Sequence, residues 1–243
     1  MQPIFKCFLS RRDASTSPQT ASGKVHLPRL GEGFLTKPSV AIAMNTVVGI
    51  SGASGIVYGV RLLETLPKTK TVVVSNEAAK IAEIELRMSK RDIEALADES
   101  YNNSDLFCPL ASGSVSFDSM VIAPCSTSTM SKIASGIADN LMTRIASVAL
   151  KEHRRLVLLI RETPLSSIHL ANMERLAAAG AIVMPASPAF YPRPRSVDDI
   201  VDFVTGRVLD ELGIENNLYR RWAGRTTKLT GSRVPRRTHR RSP

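Results

Sequence analysis

The stretch VVGISGASGIVYGVRLLETL, residues 47–66, decides how the rest of the chain is interpreted. A buried strand comes first, then a loop rich in glycine and serine, then a helix. Such a loop lets backbone N–H groups and the positive end of a helix approach an anion. The spacing Gly49-x-x-Gly52-x-x-Gly55 is not the dinucleotide fingerprint, because Ser51 breaks it, and no Gly-Lys-Ser/Thr of a P-loop follows. We expect a phosphate here; a tight turn without a ligand is the alternative.

Strands and helices alternate along the middle of the chain. Apolar runs predict further strands at 70–75, 119–126, 154–162 and 181–187. Helical patterns cover 77–88, 89–99, one long segment 127–153, 166–180 closed by Gly180, and 196–213 with Ser196 as its cap and Gly213 at its end. Continuous apolar strands separated by helices predict an α/β fold, a three-layer parallel sheet with helices on both faces.

Charge divides the chain into three parts. Residues 1–43 carry six Lys or Arg and two acids, residues 220–243 carry nine and none, and residues 44–219 carry seventeen basic and twenty acidic side chains. We predict a basic leader (1–43), one domain (44–222) and a basic tail (223–243). The tail could bind nucleic acid or an acidic surface, but with no nucleic-acid motif we favour a solvated end. No apolar run is long enough for a membrane span.

The leader is rich in Ser and Thr and poor in acids, which is typical of a mitochondrial presequence. The alternative, which we favour, is that translation starts at Met44 or that the leader is a disordered extension. The expected location is therefore cytoplasmic, or mitochondrial if the leader is a presequence. Three cysteines are too few and too scattered for a disulfide framework or a zinc site.

Polar side chains follow the predicted strands, where open parallel sheets bind ligands. Gly52–Ser54 follow the first strand, and Ser75 follows the second, where dinucleotide enzymes usually carry an acid. Ser126–Thr129 supply more hydroxyls than one helix cap requires. Arg161 and Glu162 end a buried strand, where charges are costly unless they face a ligand. The sequence predicts a polar anion site at this edge of the sheet.

Other polar residues allow two interpretations each. Glu85, taken from spacing alone, is a solvated helix residue, and Cys125 is a small buried residue rather than a nucleophile, because no partner base is evident. Arg207 lies near the apolar face of the last helix and either extends to solvent or meets an anion. The anion interpretation requires other side chains that could bind the same anion, and the sequence offers Lys151, Arg144, Arg161 and Tyr191.

Several long blocks occur together in a recognisable order. They are GISGASGIVYGVRLLE, PCSTSTMSKIASGIADNL, RIASVALKEHRRLVLLIRETPLSSIHLANM and PAFYPRPRSVDDIVDFVTGRVLDELGI. Over nearly all of residues 45–222, including the closing RRW, the chain resembles the UbiX/Pad-type flavin prenyltransferases. The resemblance implies a flavodoxin-like (Rossmann-like) fold and a homo-oligomer, typically a dodecamer. It also implies an enzyme that joins the dimethylallyl group of dimethylallyl phosphate to N5 and C6 of reduced FMN, making the cofactor of UbiD-type decarboxylases, which act in ubiquinone synthesis and aromatic-acid decarboxylation.

The resemblance also implies roles for individual residues. Glu162 would be the acid that helps the phosphate leave, and Glu85 would take part in the proton transfers of ring closure, with Ser54 also in the catalytic set. The residues expected to hold FMN are Gly52, Ala53, Ser54, Ser75, Ser126, Thr127, Ser128, Thr129 and Arg161. Those expected at the prenyl phosphate are Lys151, Tyr191, Arg207 and Arg144. The paired Asp motif of magnesium-dependent prenyltransferases is missing, so we expect no metal.

Two other flavin-based functions compete with this interpretation. A flavin-dependent decarboxylase of the same superfamily would carry a His after the first helix and a PASANT-type block; here the block is PCSTST, and no His lies between residues 27 and 152. A non-catalytic FMN-binding protein would not need Lys151, Glu162, Tyr191 and Arg207. The sequence does not identify the decarboxylase that receives the product, its pathway, or the exact oligomer.

Overall fold

The computed structural model describes residues 44–67 and 69–224. The predicted leader and most of the predicted tail lie outside the described residues. Within the described residues, six parallel strands form one sheet in the order β3-β2-β1-β4-β5-β6. The strands are β1 (Thr46–Ile50), β2 (Lys70–Val74), β3 (Glu99–Asn102), β4 (Ser119–Cys125), β5 (Arg155–Ile160) and β6 (Ile182–Pro185). The helices are α1 (Ile56–Thr65), α2 (Asn76–Glu85), α3 (Lys90–Glu94), α4 (Thr127–Ala134), α5 (Leu141–Lys151), α6 (Ser167–Ala178) and α7 (Val197–Leu212), with a 3₁₀ turn at Pro109–Ala111.

Helices cover both faces of the sheet, so the predicted three-layer α/β fold is confirmed. One apolar core joins the sheet to α4, α5 and α6, through residues such as Met130, Ile145 and Leu176. A second core joins the other face to α1, α2, α3 and α7, through residues such as Leu63 and Val208. Every residue of β1 and β4 is buried, and both strands are apolar except at their first residues, Thr46 and Ser119, whose hydroxyls hydrogen-bond each other at 3.0 Å. No helix of the described part of the chain is long and apolar enough to cross a membrane.

The single long helix predicted over 127–153 is wrong. The chain leaves α4 after Ala134, turns at Gly136 with a left-handed φ of 72°, and starts α5 after Asn140. Asn140 and Thr143 form a reciprocal capping box at this new start. Apolar spacing continued through the break and hid it, although Ile137, part of that spacing, is 47% exposed. The break matters because it brings Asn140 to the carboxyl edge of the sheet.

The region after β2 also differs from the sequence prediction. The helix expected over 77–88 ends at Glu85, and the helix expected over 89–99 ends at Glu94. The strand β3, with the sequence ESYN, was not predicted. It is an edge strand whose side chains are mostly exposed, so it lacks the apolar run that marks a buried strand. The predicted last helix is confirmed, with Ser196 as its cap and Gly213 at its end in a left-handed conformation.

Candidate functional site

A cleft of about 270 Å³ opens at the carboxyl ends of β1, β2 and β4. Five predicted FMN residues line it: Gly52, Ser75, Ser126, Ser128 and Thr129. The sequence did not predict the other lining residues, which are Glu77, Asn103, Lys132, Asn140 and Met142. Asn103 directly follows β3 and Asn140 precedes α5. The sequence prediction included neither β3 nor the start of α5, so it did not place these two residues at the edge of the sheet. Had β3 been recognised, its strand end would have indicated Asn103.

The hydroxyl-rich segment after β4 caps α4. Ser126 Oγ accepts a hydrogen bond from the Thr129 amide at 3.2 Å and donates one to Thr129 Oγ1 at 3.0 Å. The Ser126 amide in turn donates to Ser51 Oγ at 2.8 Å, which ties the segment to the end of β1. No partner within the described residues accepts from the amides of Thr127 and Ser128. The first turn of α4 therefore presents two backbone donors and the Ser128 hydroxyl for an external acceptor.

The second strand ends in a similar way. Ser75 is buried, and its Oγ accepts from the Ala78 amide at 3.0 Å, which caps α2. Gly52 faces the first turn of this helix so closely that an added Cβ would lie 2.6 Å from Glu77 Cβ. Only glycine fits there, and this keeps the backbone of the β1 loop within reach of a ligand in the cleft.

The first turn of α1 already binds a carboxylate from the same chain. The Glu85 carboxylate accepts hydrogen bonds from the Gly55 amide at 2.9 and 3.1 Å and from the Ile56 amide at 3.0 Å. Gly55 has a left-handed φ of 96°, which aims these amides at Glu85. Glu85 is thus not the unpartnered surface residue that spacing suggested. The first turn of α1 is matched to a carboxylate, and the amides at α2 and α4 remain for a ligand.

Arg161 joins the end of β5 to the β1 loop. Its Nε donates to the Ser54 carbonyl at 2.9 Å. Burial raises the pKa of the Tyr58 hydroxyl, and the positive charge of Arg161 offsets part of that rise. Glu162 is exposed at the same edge, where its carboxylate accepts from the Thr163 amide at 2.9 Å. Ala53 is buried within the β1 loop and Ser54 is exposed beside Arg161.

None of the four predicted phosphate residues lines the cleft in the described part of one chain, and two of them, Lys151 and Arg144, are held elsewhere by α5. Lys151 is the last residue of α5 and pairs with Glu152 just before β5 begins. The six residues of β5 span roughly 20 Å, so Lys151 lies at the opposite edge of the sheet from Arg161. Arg144 donates through Nε to the Ala111 carbonyl at 2.9 Å, on the loop before β4. One copy of the chain does not bring these cations to the cleft.

Tyr191 and Arg207 belong to a separate cluster near α7. The Tyr191 ring meets Phe203 edge to face at 5.9 Å and Trp222 at 5.4 Å. Arg207 pairs with Asp210 at 2.9 Å and with Glu211 at 3.3 Å. A second cleft of about 410 Å³ lies beside this cluster, lined by Ala189, Pro192, Arg193, Pro194, Arg195, Asp199, Phe203, Leu218, Tyr219 and Arg220.

Cys125 does not behave as a nucleophile in this setting. It is fully buried in β4, and burial raises the pKa of its thiol. A protonated, inaccessible thiol agrees with the prediction of a small core residue. Within residues 44–67 and 69–224, no group of three or more His, Cys, Asp or Glu side chains is arranged to hold a metal ion.

Comparison with known proteins places this architecture in a family. The Flavoprotein family model matches residues 38–209. A flavin prenyltransferase UbiX from Methanocaldococcus jannaschii is 51% identical over 181 residues, which cover 74% of this chain and 98% of the relative. The fold is thus that of a flavoprotein. Within that class, the chain belongs to the UbiX flavin prenyltransferases and is a transferase.

Two solved structures share the fold over nearly their whole length. One, AnUbiX (PadA1) in complex with FMN and dimethylallyl pyrophosphate, has a TM-score of 0.73 and 38% identity, covering 75% of this chain and 99% of that one. The other, a dodecameric FMN-dependent UbiX-like decarboxylase from Escherichia coli O157:H7, has a TM-score of 0.72 and 45% identity, covering 74% and 100%. The flavodoxin-like fold expected from the resemblance is confirmed.

Proposed function

We propose that this flavin prenyltransferase transfers the dimethylallyl group of dimethylallyl phosphate to N5 and C6 of reduced FMN. The observation that carries the proposal is the polar cleft at the carboxyl ends of β1, β2 and β4, with its glycine backbone and unbonded α4 amides. The complex of a 38% identical relative with FMN and dimethylallyl pyrophosphate supports the choice of ligands.

The residues of the cleft fit a flavin mononucleotide. The amides of Thr127 and Ser128 and the hydroxyl of Ser128 suit a phosphate or a polar ring edge. Lys132 also lines the cleft, with its ammonium paired to Asp139 at 2.7 Å. Gly52 leaves space for close approach of the backbone. Reduced FMN would supply the nucleophile, and the protein would hold it against the allylic carbon.

Departure of phosphate from an allylic carbon leaves negative charge on the phosphate, which fixed cations and a proton donor stabilise. Arg161 and Glu162 lie at the carboxyl edge of the sheet, where they could supply this cation and this proton donor. Tyr191 and Arg207 are the proposed anchors of the prenyl phosphate from the α7 side. In this assignment no divalent metal is required.

Lys151 and Arg144 can reach such a site only from another copy of the chain. We therefore propose a homo-oligomer, a dodecamer as in the E. coli relative, in which these cations approach the cleft of a neighbouring copy. The exposed apolar side chains Phe107, at 99%, and Ile84, at 82%, agree with burial in such an assembly.

Anaerobic incubation with reduced FMN and dimethylallyl phosphate tests the function directly. We expect a flavin product whose mass has increased by one dimethylallyl group and whose formation depends on both substrates. If the protein instead released carbon dioxide from a carboxylic acid with no prenyl donor present, the decarboxylase alternative would replace this proposal. Tight FMN binding with neither reaction would favour a flavin carrier.

The product recipient and the location are further parts of the proposal. A UbiD-type decarboxylase is the expected recipient, since prenylated FMN is useful only to an enzyme that binds it. Reconstitution of an apo-decarboxylase of that type with the product tests this. We propose a cytoplasmic location, with mitochondria as the alternative if residues 1–43 act as a presequence; cell fractionation of the full chain distinguishes the two.

A further inference from the structure

Asp210, near the end of α7, is the centre of a hydrogen-bond network that the proposed reaction does not explain. Its side chain is 14% exposed. It accepts from Tyr219 Oη at 2.6 Å, from Arg221 at 2.7 and 3.1 Å, from Asn216 Nδ2 at 3.0 Å and from Arg207 Nη1 at 2.9 Å. Two guanidinium groups and two neutral donors thus converge on one carboxylate.

Three of these donors belong to residues 214–222, here called the C-terminal strap. After α7 ends at Leu212, the strap turns back along the helix. Tyr219 packs edge to face on Phe203 at 4.8 Å, about two turns before Asp210 in the helix. The strap then carries Trp222 to the ring of Tyr191, with 5.4 Å between centroids. Asp210 therefore contacts three residues of the segment that brings Trp222 to Tyr191.

The fourth donor is Arg207 itself. Asp210 and Glu211 hold its guanidinium from the same side of α7. The two residues that we assign to the prenyl phosphate thus both connect to this network: Arg207 directly, and Tyr191 through its ring contacts with Trp222 and Phe203. Trp222 is 70% exposed and its ring packs on Tyr191, so the strap that carries it sets its position.

We propose that Asp210 is a positioning residue for the prenyl phosphate. Its hydrogen bonds, here called the latch, hold the C-terminal strap so that Trp222 lies against Tyr191, and they also orient Arg207. This inference rests on the proposed function. The groups that face Asp210 are Arg207 and Glu211 on α7 and Asn216, Tyr219 and Arg221 on the strap. Burial acts to raise the pKa of Asp210, but hydrogen bonds from Arg221, Tyr219 and Asn216 outweigh it and lower that pKa to about 2. The Asp210 carboxylate is therefore charged at neutral pH.

The test uses the full-length protein and its single tryptophan, Trp222. In Asp210→Asn, an NH₂ group replaces one acceptor and faces the donors of Tyr219 and the arginines, so the latch opens while side-chain size is kept. Arg221→Gln opens it from the strap and does not alter the helix, which protects the test if Asp210→Asn folds poorly. The matched control is Asp202→Asn on the same helix, which breaks only the pair with Arg61.

Two readouts decide the outcome. Time-resolved fluorescence anisotropy should show fast local motion of Trp222 in both latch variants and not in the control. The KM for dimethylallyl phosphate should rise by about tenfold or more in the latch variants, the scale expected for misplaced charged contacts, with kcat and FMN affinity nearly unchanged.

Other results would overturn the inference. An immobile Trp222 in both latch variants would show that Asp210 does not hold the strap. A mobile Trp222 with an unchanged KM would reduce Asp210 to a structural contact. If the unaltered protein formed no prenylated flavin, the proposed function would be wrong, and Asp210 could not be a positioning residue for the prenyl phosphate. The anisotropy measurement would still show separately whether Asp210 holds the strap.

Discussion

The carboxylate of Glu85 accepts two hydrogen bonds from the amide of Gly55, although the two residues are thirty positions apart in the chain. The end of α2 is thereby fastened to the start of α1, beside Ser54. The glycine loop that resembles a phosphate site in the sequence thus receives a carboxylate at its helix. We therefore expect the phosphate of FMN nearer to α4 and α2, whose first turns line the cleft.

Glu85 variants should separate this capping contact from chemistry. Glu85→Gln keeps an acceptor for the Gly55 amide, so we expect little loss of stability, but it cannot take part in proton transfer and turnover should fall. Glu85→Ala should lose turnover and also about 1 kcal/mol of stability, the usual cost of removing a helix cap. Chemical denaturation and product formation measure the two effects. Glu83→Ala, on the same helix, is the control; Glu85→Gln with full turnover would limit Glu85 to capping.

Replacing Glu162 tests its role as the general acid. Glu162→Gln retains the shape and an acceptor for the Thr163 amide but removes the transferable proton. We expect normal FMN binding and assembly, with prenyl transfer slowed about a hundredfold or more, the scale of lost acid–base catalysis. Single-turnover measurements with bound reduced FMN isolate this step. Near-normal rates would remove Glu162 from the mechanism.

Arg207→Ala should affect the prenyl donor rather than the flavin. Its guanidinium is held by Asp210 and Glu211 on α7, away from the residues that line the proposed FMN cleft. We expect a higher KM for dimethylallyl phosphate and an unchanged dissociation constant for FMN, measured by steady-state kinetics and by flavin fluorescence. Loss of FMN affinity instead would mean that the two phosphates had been assigned to the wrong residues.

Turnover should not require a divalent metal. The proposed phosphate contacts are Arg and Lys side chains, which supply fixed positive charge to the leaving group. Product formation after dialysis against EDTA is expected to equal that of the untreated protein. Activity abolished by EDTA and restored by magnesium would contradict the proposed chemistry.

A shortened chain of residues 44–224 should retain the activity of the full chain. All the residues assigned to the cleft, the strap and the prenyl phosphate lie within it. We expect the same oligomer by light scattering and the same kcat/KM. A shortened chain that no longer bound FMN would show that the flanking segments contribute to the domain.

Much of the fold follows from local patterns. Apolar runs at β1, β4 and β5 mark buried parallel strands, because strands covered on both faces have no polar side. Ser196 and Gly213 delimit α7 because a cap and a left-handed residue act locally. The polar edge strand β3 and the break at Gly136 were missed. The strand β3 has no apolar run that would mark it, and the apolar spacing continues through the break at Gly136.

The sequence by itself determined the α/β class, the edge of the sheet that carries the cleft, and the polar residues Gly52, Ser75 and Ser126–Thr129 at its strand ends. Each depends on residues that are neighbours in the chain. Only the tertiary structure decided that Glu85 caps α1 and that Arg161 donates to the Ser54 carbonyl. These relationships join residues distant in sequence, and the packing of helices against the sheet sets which of them meet.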